Sequence, residues 1–357
     1  MEVSMKRTET RPVMVGNVQI GHQNKVILQS MTNIPSKRVD ETVQQVLDLE
    51  RDGCQIIRFA VLDEEDAEAI AKIKPQIHIP IVADIHFNYL FALKAADAGA
   101  DAIRINPGNI GDEAHTRAVV EKCREKHLPI RIGINSGSLE KQFLDAYGYS
   151  AKAMVESARR HVEILENLNF HDIVLSFKSS NVPLTIDAYE AASEAFPYPL
   201  HLGVTEAGGL LESSVKSSAA LGTLLHEGLG DTIRVSVSGP PSDELPVAKQ
   251  LLRCFNLIDG VPDLIACPTC GRIQYDMLPV VKEIEQYLAS IHANITVAVM
   301  GCPVNGMQEA GRADIGIAGS YQKGILFRKG KFLREVPQDQ LVNELKKEIQ
   351  NILEEQR

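Results

Sequence analysis

Three cysteines and one glutamate near the C-terminal end stand where a metal centre needs donors. Cys267 and Cys270 belong to Cys-Pro-Thr-Cys-Gly, Cys302 opens Cys-Pro-Val-Asn-Gly, and Glu309 follows within the next helical turn or two. A Cys-x-x-Cys knuckle serves zinc and iron equally well. Zinc would want a fourth Cys or His, and only Cys254 and His292 offer one, both poorly placed. A 4Fe-4S cluster on three thiolates leaves one iron open to an oxygen ligand, a place Glu309 suits, so the spacing favours iron-sulfur over zinc. Cys54, Cys123 and Cys254 read as core residues.

A second constellation lies upstream. Arg58, Arg104, Arg131 and Arg234 each follow an isoleucine inside a short apolar run, and Lys178 holds a similar place in Leu-Ser-Phe-Lys. Strand alternation turns neighbouring side chains to opposite faces, so if the isoleucines pack outward the cations point inward. Unpaired buried charge costs several kcal/mol per ion, so the cluster calls for an anion. Asp84 and Glu206 can neutralise only part of it. Asn106, Asn135, Ser176, Ser236 and Ser238 add hydrogen-bonding groups, and planar guanidinium forks match phosphate oxygens. The expected ligand is a small polyanion, with an internal arginine-carboxylate network as the bland reading. Glu206 is the better acid, while Asp84 and His86 could be catalytic or could buttress the arginines.

These positions imply their scaffold. From Val26, β-branched runs alternate with segments of helical periodicity: VILQSMT, IIRFAV, IPIVADI, AIRINPGN, PIRIGINSG, DIVLSFKSS, LHLGVTEAG and TIRVSVSG. Eight βα units predict a (β/α)8 TIM barrel with chemistry at the C-terminal ends of its strands. A doubly wound sheet is the alternative, but no G-x-G-x-x-G follows the first strand. A hairpin over Pro12 to Lys25 precedes the barrel as a plug or lid. The rhythm ends near Asn256 to Pro262, so the predicted domains are a substrate-binding barrel over 1–258 and a smaller α+β iron-sulfur domain over 259–357. The second contains a helix near Asp276 to Ala289, the strands TVAVMG and ADIGIAG, a hairpin turning at Lys329-Gly330, and a last helix with Leu341, Leu345, Ile349 and Ile352 on one face. The final barrel helix returns the chain to the bottom of the barrel, and a seven-residue linker reaches at most about 25 Å. A head-to-tail homodimer, each small domain capping the other chain's barrel, is therefore expected.

Composition narrows the class. A net charge of -10 argues against general nucleic-acid binding, so any anion site must be local. No apolar run approaches the roughly 18 residues of a membrane span, and the first residues lack an apolar signal core. Reduced thiols in a cytoplasmic setting are expected.

The chain resembles the 4-hydroxy-3-methylbut-2-enyl diphosphate synthases, the iron-sulfur reductases of the non-mevalonate route to isoprenoids and terpenoids. Similarity runs over nearly the whole length through QSMTN, RINPGN, RIGINSGSL, CPTCGR and GCPVNG with its ADIGIAG continuation. The resemblance implies that Cys267, Cys270, Cys302 and Glu309 hold the cluster. It implies that Arg58, Arg104, Arg131, Lys178 and Glu206 occupy substrate-binding positions. The expected reaction is two-electron reductive opening and dehydration of 2-C-methyl-D-erythritol 2,4-cyclodiphosphate, with flavodoxin or ferredoxin as electron donor. Lys323, Arg328, Lys329, Lys331 and Arg334 form an acid-free basic stretch that would suit an acidic carrier. One departure stands out: Met307-Gln308 replaces the family's usual Pro-Gly before Glu309, changing backbone freedom there. QSMTN alone also fits dihydropteroate synthases, so a transferase with a zinc-stabilised appendage is one rival reading, and a redox or iron sensor whose barrel only binds metabolite is another.

Overall fold

The computed structural model describes residues 7–23, 25–106, 110–111, 113–303 and 310–355, and the chain separates into two compact units, Met1–Leu257 and Ile258–Arg357. The first opens with an antiparallel hairpin, β1 (Val13–Val15) and β2 (Val18–Ile20). Its apolar face, Val13, Val15 and Ile20, packs against Ile27, Ile56, Val82, Ala102 and Val174 and plugs the floor of the barrel.

Eight parallel strands follow: β3 (Ile27–Met31), β4 (Ile56–Val61), β5 (Ile81–Ile85), β6 (Ala102–Ile105), β7 (Ile130–Asn135), β8 (Ile173–Lys178), β9 (His201–Leu202) and β10 (Thr232–Ile233). They lie in the order β8-β7-β6-β5-β4-β3-β10-β9, and a parallel bridge from Leu175 to Leu200 closes the ring. The helices α1 (Val39–Arg51), α2 (Glu64–Ile73), α3 (Tyr89–Asp97), α4 (Glu113–Lys126), α5 (Lys141–Tyr147), α6 (Ala151–Asn167), α7 (Val182–Ala195), α8 (Leu210–His226) and α9 (Glu244–Cys254) connect them. Local chemistry sets their starts. Asp63, Ser150 and Asn181 each accept a hydrogen bond from a first-turn N–H of α2, α6 and α7. α6 buries Met154, Ala158, Val162 and Leu165, the i, i+4 spacing that seats a helix on a sheet.

The TIM barrel read from the sequence is therefore present, with shorter closing strands than the sequence suggests. Beyond Leu202, left-handed backbone at Glu206 (φ 53) and Gly208 (φ 95) turns the chain out of the ladder. The early strands keep their alternation because both faces are buried, one by helices and one by the barrel interior.

The second unit is a five-stranded sheet in the order β11 (Asp263–Ala266), β12 (Thr296–Met300), β13 (Ile315–Ser320), β14 (Lys323–Arg328) and β15 (Lys331–Pro337). β11, β12 and β13 run parallel, and the rest is antiparallel. Helices α10 (Met277–Ala289) and α11 (Leu341–Glu355) cover it, with Leu341, Leu345, Ile349 and Ile352 sharing one core with Ile284, Val297 and Ile315. β11 is not visible in the sequence pattern. It is short and only half-buried, and its order comes from pairing with β12. Among the described residues no helix is long and apolar enough to cross a membrane.

Candidate active site

Strand alternation places the cations as anticipated. The isoleucines of β4, β6 and β7 are fully buried, while Arg58, Arg104, Arg131 and Lys178 are buried together inside the barrel above its apolar floor, with Arg234 half-buried beside them. Two glycines make the room. A Cβ at Gly133 would fall 2.5 Å from Arg104 Nε, and one at Gly203 would fall 3.1 Å from Lys178 Nζ.

The five cations have unequal partners. Asp84 accepts from Arg104 Nη1 at 2.9 Å and lies 3.4 Å from Arg58 Nε, with His86 Nε2 at 3.7 Å. Burial opposes ionisation of Asp84, but Arg58 and Arg104 outweigh it and hold the carboxyl far below its ordinary range. Asp84 is thus ion-paired with two of the arginines. Arg234 is gripped by Glu244, which also accepts from Ser30 Oγ at 2.8 Å. Arg58 donates from Nε and Nη2 to the Met31 thioether at 3.1 and 2.9 Å, a weak acceptor, so its charge is balanced only by the Asp84 it shares with Arg104. Burial pushes Arg58 down to about 10.

Arg131 and Lys178 are the least satisfied. Arg131 Nη1 donates to Gln29 Oε1 at 2.6 Å, but its Nε and Nη2 are buried without partners. Lys178 pairs with no carboxylate among the described residues. Burial, with the neighbouring cations, drives both well below their ordinary values. Beneath them His201 is fully buried, its Nδ1 2.6 Å from Thr232 Oγ1, and burial among cations favours its neutral form. The buried cations thus outnumber Asp84 and Glu244, the carboxylates that pair with them, an imbalance a bound anion would relieve.

The remaining strand-end residues form a polar rim. Asn106 is buried, its Nδ2 3.5 Å from Ser138 Oγ, and Asn135 is half-buried at the end of β7. Ser176 is buried on β8. Ser236 is half-buried and its carbonyl accepts from Ser213 Oγ at 2.7 Å, while Ser238 is exposed. Glu206 is exposed, on left-handed backbone, where a side chain pays strain to hold its direction. Glu244, Met31 and Gln29 were not singled out from the sequence. Glu244 follows Pro240-Pro241-Ser242-Asp243, which reads as a solvated helix cap, and no local pattern links it to Arg234.

In the second unit the thiolate donors gather at one edge of the sheet. β11 and β12 are parallel neighbours, so Cys267 and Cys302, just past their ends, emerge on the same side. All three cysteines are free; Cys302 is buried, Cys267 half-buried and Cys270 exposed. Gly301 N–H donates to Cys267 Sγ at 3.2 Å, and a Cβ there would crowd Ile273 Cγ1 at 3.0 Å. Hydrogen bonds from Arg272 lower the Cys270 thiol from its ordinary value. A single metal ion needs its ligands round one point, and among the described residues no three His, Cys, Asp or Glu side chains meet that way. Three free thiols with a backbone N–H on one sulfur are donors of the kind a cubane would take, one thiolate to each of three irons. Glu309 lies outside the described residues.

The basic stretch is less free than its sequence implies. Lys323 pairs with Glu335 at 2.7 Å, Arg328 with Glu355, and Arg334 with Glu344 and Glu348 at 2.7 and 2.9 Å. β15 and α11 supply carboxylates that the linear stretch lacks. Lys329 and Lys331 remain at the turn, where Lys329 and Gly330 both take positive φ.

The GcpE TIM-barrel domain model matches residues 10–249, and the GcpE protein C-terminal domain model matches 263–351. The chain is 54% identical over 356 residues to a 4-hydroxy-3-methylbut-2-en-1-yl diphosphate synthase (flavodoxin) of Anoxybacillus flavithermus, covering 99% of this chain and 98% of the relative. It is 55% identical over 350 residues to the enzyme of the same name from Halalkalibacterium halodurans, covering 98% and 95%. Among solved structures, a Yersinia pestis dihydropteroate synthase aligns with TM-score 0.49 and 13% identity, over 69% of this chain and 97% of that one, too distant to bear on function. On the two family matches and these full-length relatives, the chain belongs to the GcpE family.

Proposed function

We propose that this chain catalyses reductive ring opening and dehydration of 2-C-methyl-D-erythritol 2,4-cyclodiphosphate to (E)-4-hydroxy-3-methylbut-2-enyl diphosphate, holding a 4Fe-4S cluster on Cys267, Cys270, Cys302 and Glu309. The observation that carries the reading is the buried excess of cations, Arg131 and Lys178 above all, in a barrel whose relatives are named for a diphosphate product. Arg58, Arg104, Arg131, Lys178 and Arg234 hold the diphosphate through ring opening, so the charged end stays fixed while the carbon end reacts. Asn106, Asn135 and Ser236 bond its oxygens and the diol. Glu206, at the rim, delivers the proton that lets the hydroxyl leave as water. The cluster, when bound, supplies low-potential electrons and Lewis acidity. Flavodoxin is the electron donor, as in the names of the relatives.

Head-to-tail pairing of two chains is part of the proposal. Exposed Leu62, Phe87, Leu90, Tyr149, Leu210 and Leu211 ring the C-terminal face of the barrel, an apolar rim of the kind that protein partners cover. Mixing a Cys270→Ser chain with an Arg131→Met chain tests it, since mixed dimers alone would pair an intact barrel with an intact cluster domain. The catalytic reading is tested by anaerobic purification with iron, sulfide and zinc analysis, then reductant-driven turnover of the cyclic diphosphate. Stoichiometric zinc in a colourless protein that cannot be reconstituted would overturn it.

A further inference from the structure

Tyr275 carries a hydroxyl that the fold of the second unit leaves unexplained. Its oxygen is shielded from solvent and has no hydrogen-bond partner among the described residues. Buried polar groups are almost always paired, so an orphan of this kind marks a place where something else belongs. The ring is not there by default. It lies against Gly319, where a Cβ would fall 2.2 Å from Tyr275 Cδ1 and 2.8 Å from the Gly301 carbonyl oxygen. A side chain at 319 would expel the ring, so the backbone of β13 is kept bare for it.

The neighbourhood is that of the thiolates. Gln274 N–H donates to the Gly301 carbonyl at 3.0 Å, and Gly301 N–H donates to Cys267 Sγ at 3.2 Å, so the residue preceding Tyr275 and the Cys267 sulfur are both bonded to the backbone of Gly301. Tyr275, Ile273 and Cys267 pack on the same apolar cluster. A tyrosine hydroxyl is a donor at neutral pH, and a sulfur-rich anionic centre offers acceptors. Gly301 N–H and Tyr275 O–H would then be two donors of different origin on one centre.

We propose that Tyr275 is a positioning and tuning residue for the iron-sulfur centre, its hydroxyl donating a hydrogen bond to the sulfur side held by Cys267; this rests on the cluster reading given above. Hydrogen bonds to sulfur stabilise the more negative, reduced state and so raise the reduction potential. The Gly319 gap exists to admit this donor, and Tyr275 need not touch substrate.

The test is Tyr275→Phe, which removes one oxygen and keeps the ring. Holoprotein is prepared anaerobically, its iron and sulfide content measured, and the cluster potential followed by redox titration with electron paramagnetic resonance. The expected result is full cluster loading with a shift to more negative potential, and altered resonance Raman iron-sulfur stretches. Site-specific 3-fluorotyrosine at 275, a stronger donor of nearly the same size, should move the potential the opposite way, and it covers the case in which the Phe variant loads poorly. Full loading with unchanged potential in both variants overturns the inference alone. A wild-type protein that takes up no iron and sulfide overturns the cluster reading, and this inference with it.

Discussion

Glu244 grips Arg234 along one edge of its guanidinium, Nη2 donating to Oε1 at 2.7 Å and Nε to Oε2 at 3.1 Å. A bidentate fork of this kind fixes a plane as well as a position. The remaining Nη1 donates to the Met31 thioether at 3.8 Å, so Arg234 reaches the cavity with one edge held by a carboxylate and the other against a weak acceptor. Removing the carboxylate leaves a largely buried cation alone, which typically costs about 3–5 kcal/mol. Glu244→Ala is therefore expected to lower unfolding free energy by that order in urea. Adding Arg234→Met to it should recover part of the loss. Simple additivity in this double-mutant cycle would show that the two residues are not coupled.

The cavity's positive excess predicts an exchange of stability for binding. Lys178 has no carboxylate partner among the described residues, and burial and nearby arginines oppose its charge. Lys178→Met should thus stabilise the ligand-free protein, by roughly 1–4 kcal/mol on the precedent of buried charges replaced by apolar groups, while weakening pyrophosphate binding. The sign with pH follows. A lysine whose folded pKa lies below its unfolded value costs stability at neutral pH, and that cost fades as pH rises toward the unfolded value of about 10.4. The advantage of the variant should shrink over the same range. Wild-type protein should be stabilised by pyrophosphate, by about 2.7 kcal/mol at a hundredfold excess over Kd, and the variant much less. A variant less stable than wild type without anion would contradict the reading of this cavity.

Gly133 tests whether the arginines act through their exact placement or only through charge. Alanine there would put a methyl 2.5 Å from Arg104 Nε and 2.6 Å from Nη2, forcing the guanidinium off Asp84 without altering any ionisable group. Pyrophosphate affinity should fall about tenfold or more, some 1.4 kcal/mol, with folded structure retained by circular dichroism. Unchanged affinity would mean that local charge density suffices.

The order of the barrel was legible because its strands are pinned from both sides. Ile130, Ile132 and Ile134 are driven outward to the helices, which leaves Arg131, Gly133 and Asn135 one direction to point. The same logic located Arg58, Arg104 and Lys178. It could not divide their roles, because the partners come from other elements: Glu244 from the start of α9, Met31 from the end of β3, Gln29 from within it. Asp84 read equally as a catalyst or a buttress, and its ion pairs with Arg104 and Arg58 appear only once the strands are side by side. At the hairpin the stretch itself carries no acid, and the carboxylates that pair with Arg328 and Arg334 come from the next element, α11. β11 had no pattern of its own to read, being made a strand by its neighbour.

Glu140 joins the loop after β7 to α6, and it sets the last prediction. Its carboxylate accepts from Ser157 Oγ at 2.6 Å and lies 2.9 Å from His161 Nε2. Burial opposes its ionisation, but the hydrogen bonds from His161 and Ser157 prevail and hold it at about 2, against an ordinary 4.5. A carboxyl depressed in the folded state contributes stability that is present above its unfolded pKa and is lost as pH falls through the folded one. The window is therefore about pH 4.5 down to about 2, and the contribution at neutral pH is on the order of 2–3 kcal/mol. Glu140→Gln should remove it: the variant should be less stable at pH 7, and its stability should fall less steeply through that window. The same loop carries Ser136, bonded to Ser179 Oγ at 3.1 Å, and Ser138 beside Asn106. Loosening it should raise KM for the cyclic diphosphate more than it lowers kcat, because the loop shapes the rim rather than the reacting centre. Acid unfolding curves of the two proteins that run parallel from pH 7 to pH 2 would show that Glu140 does not hold the loop.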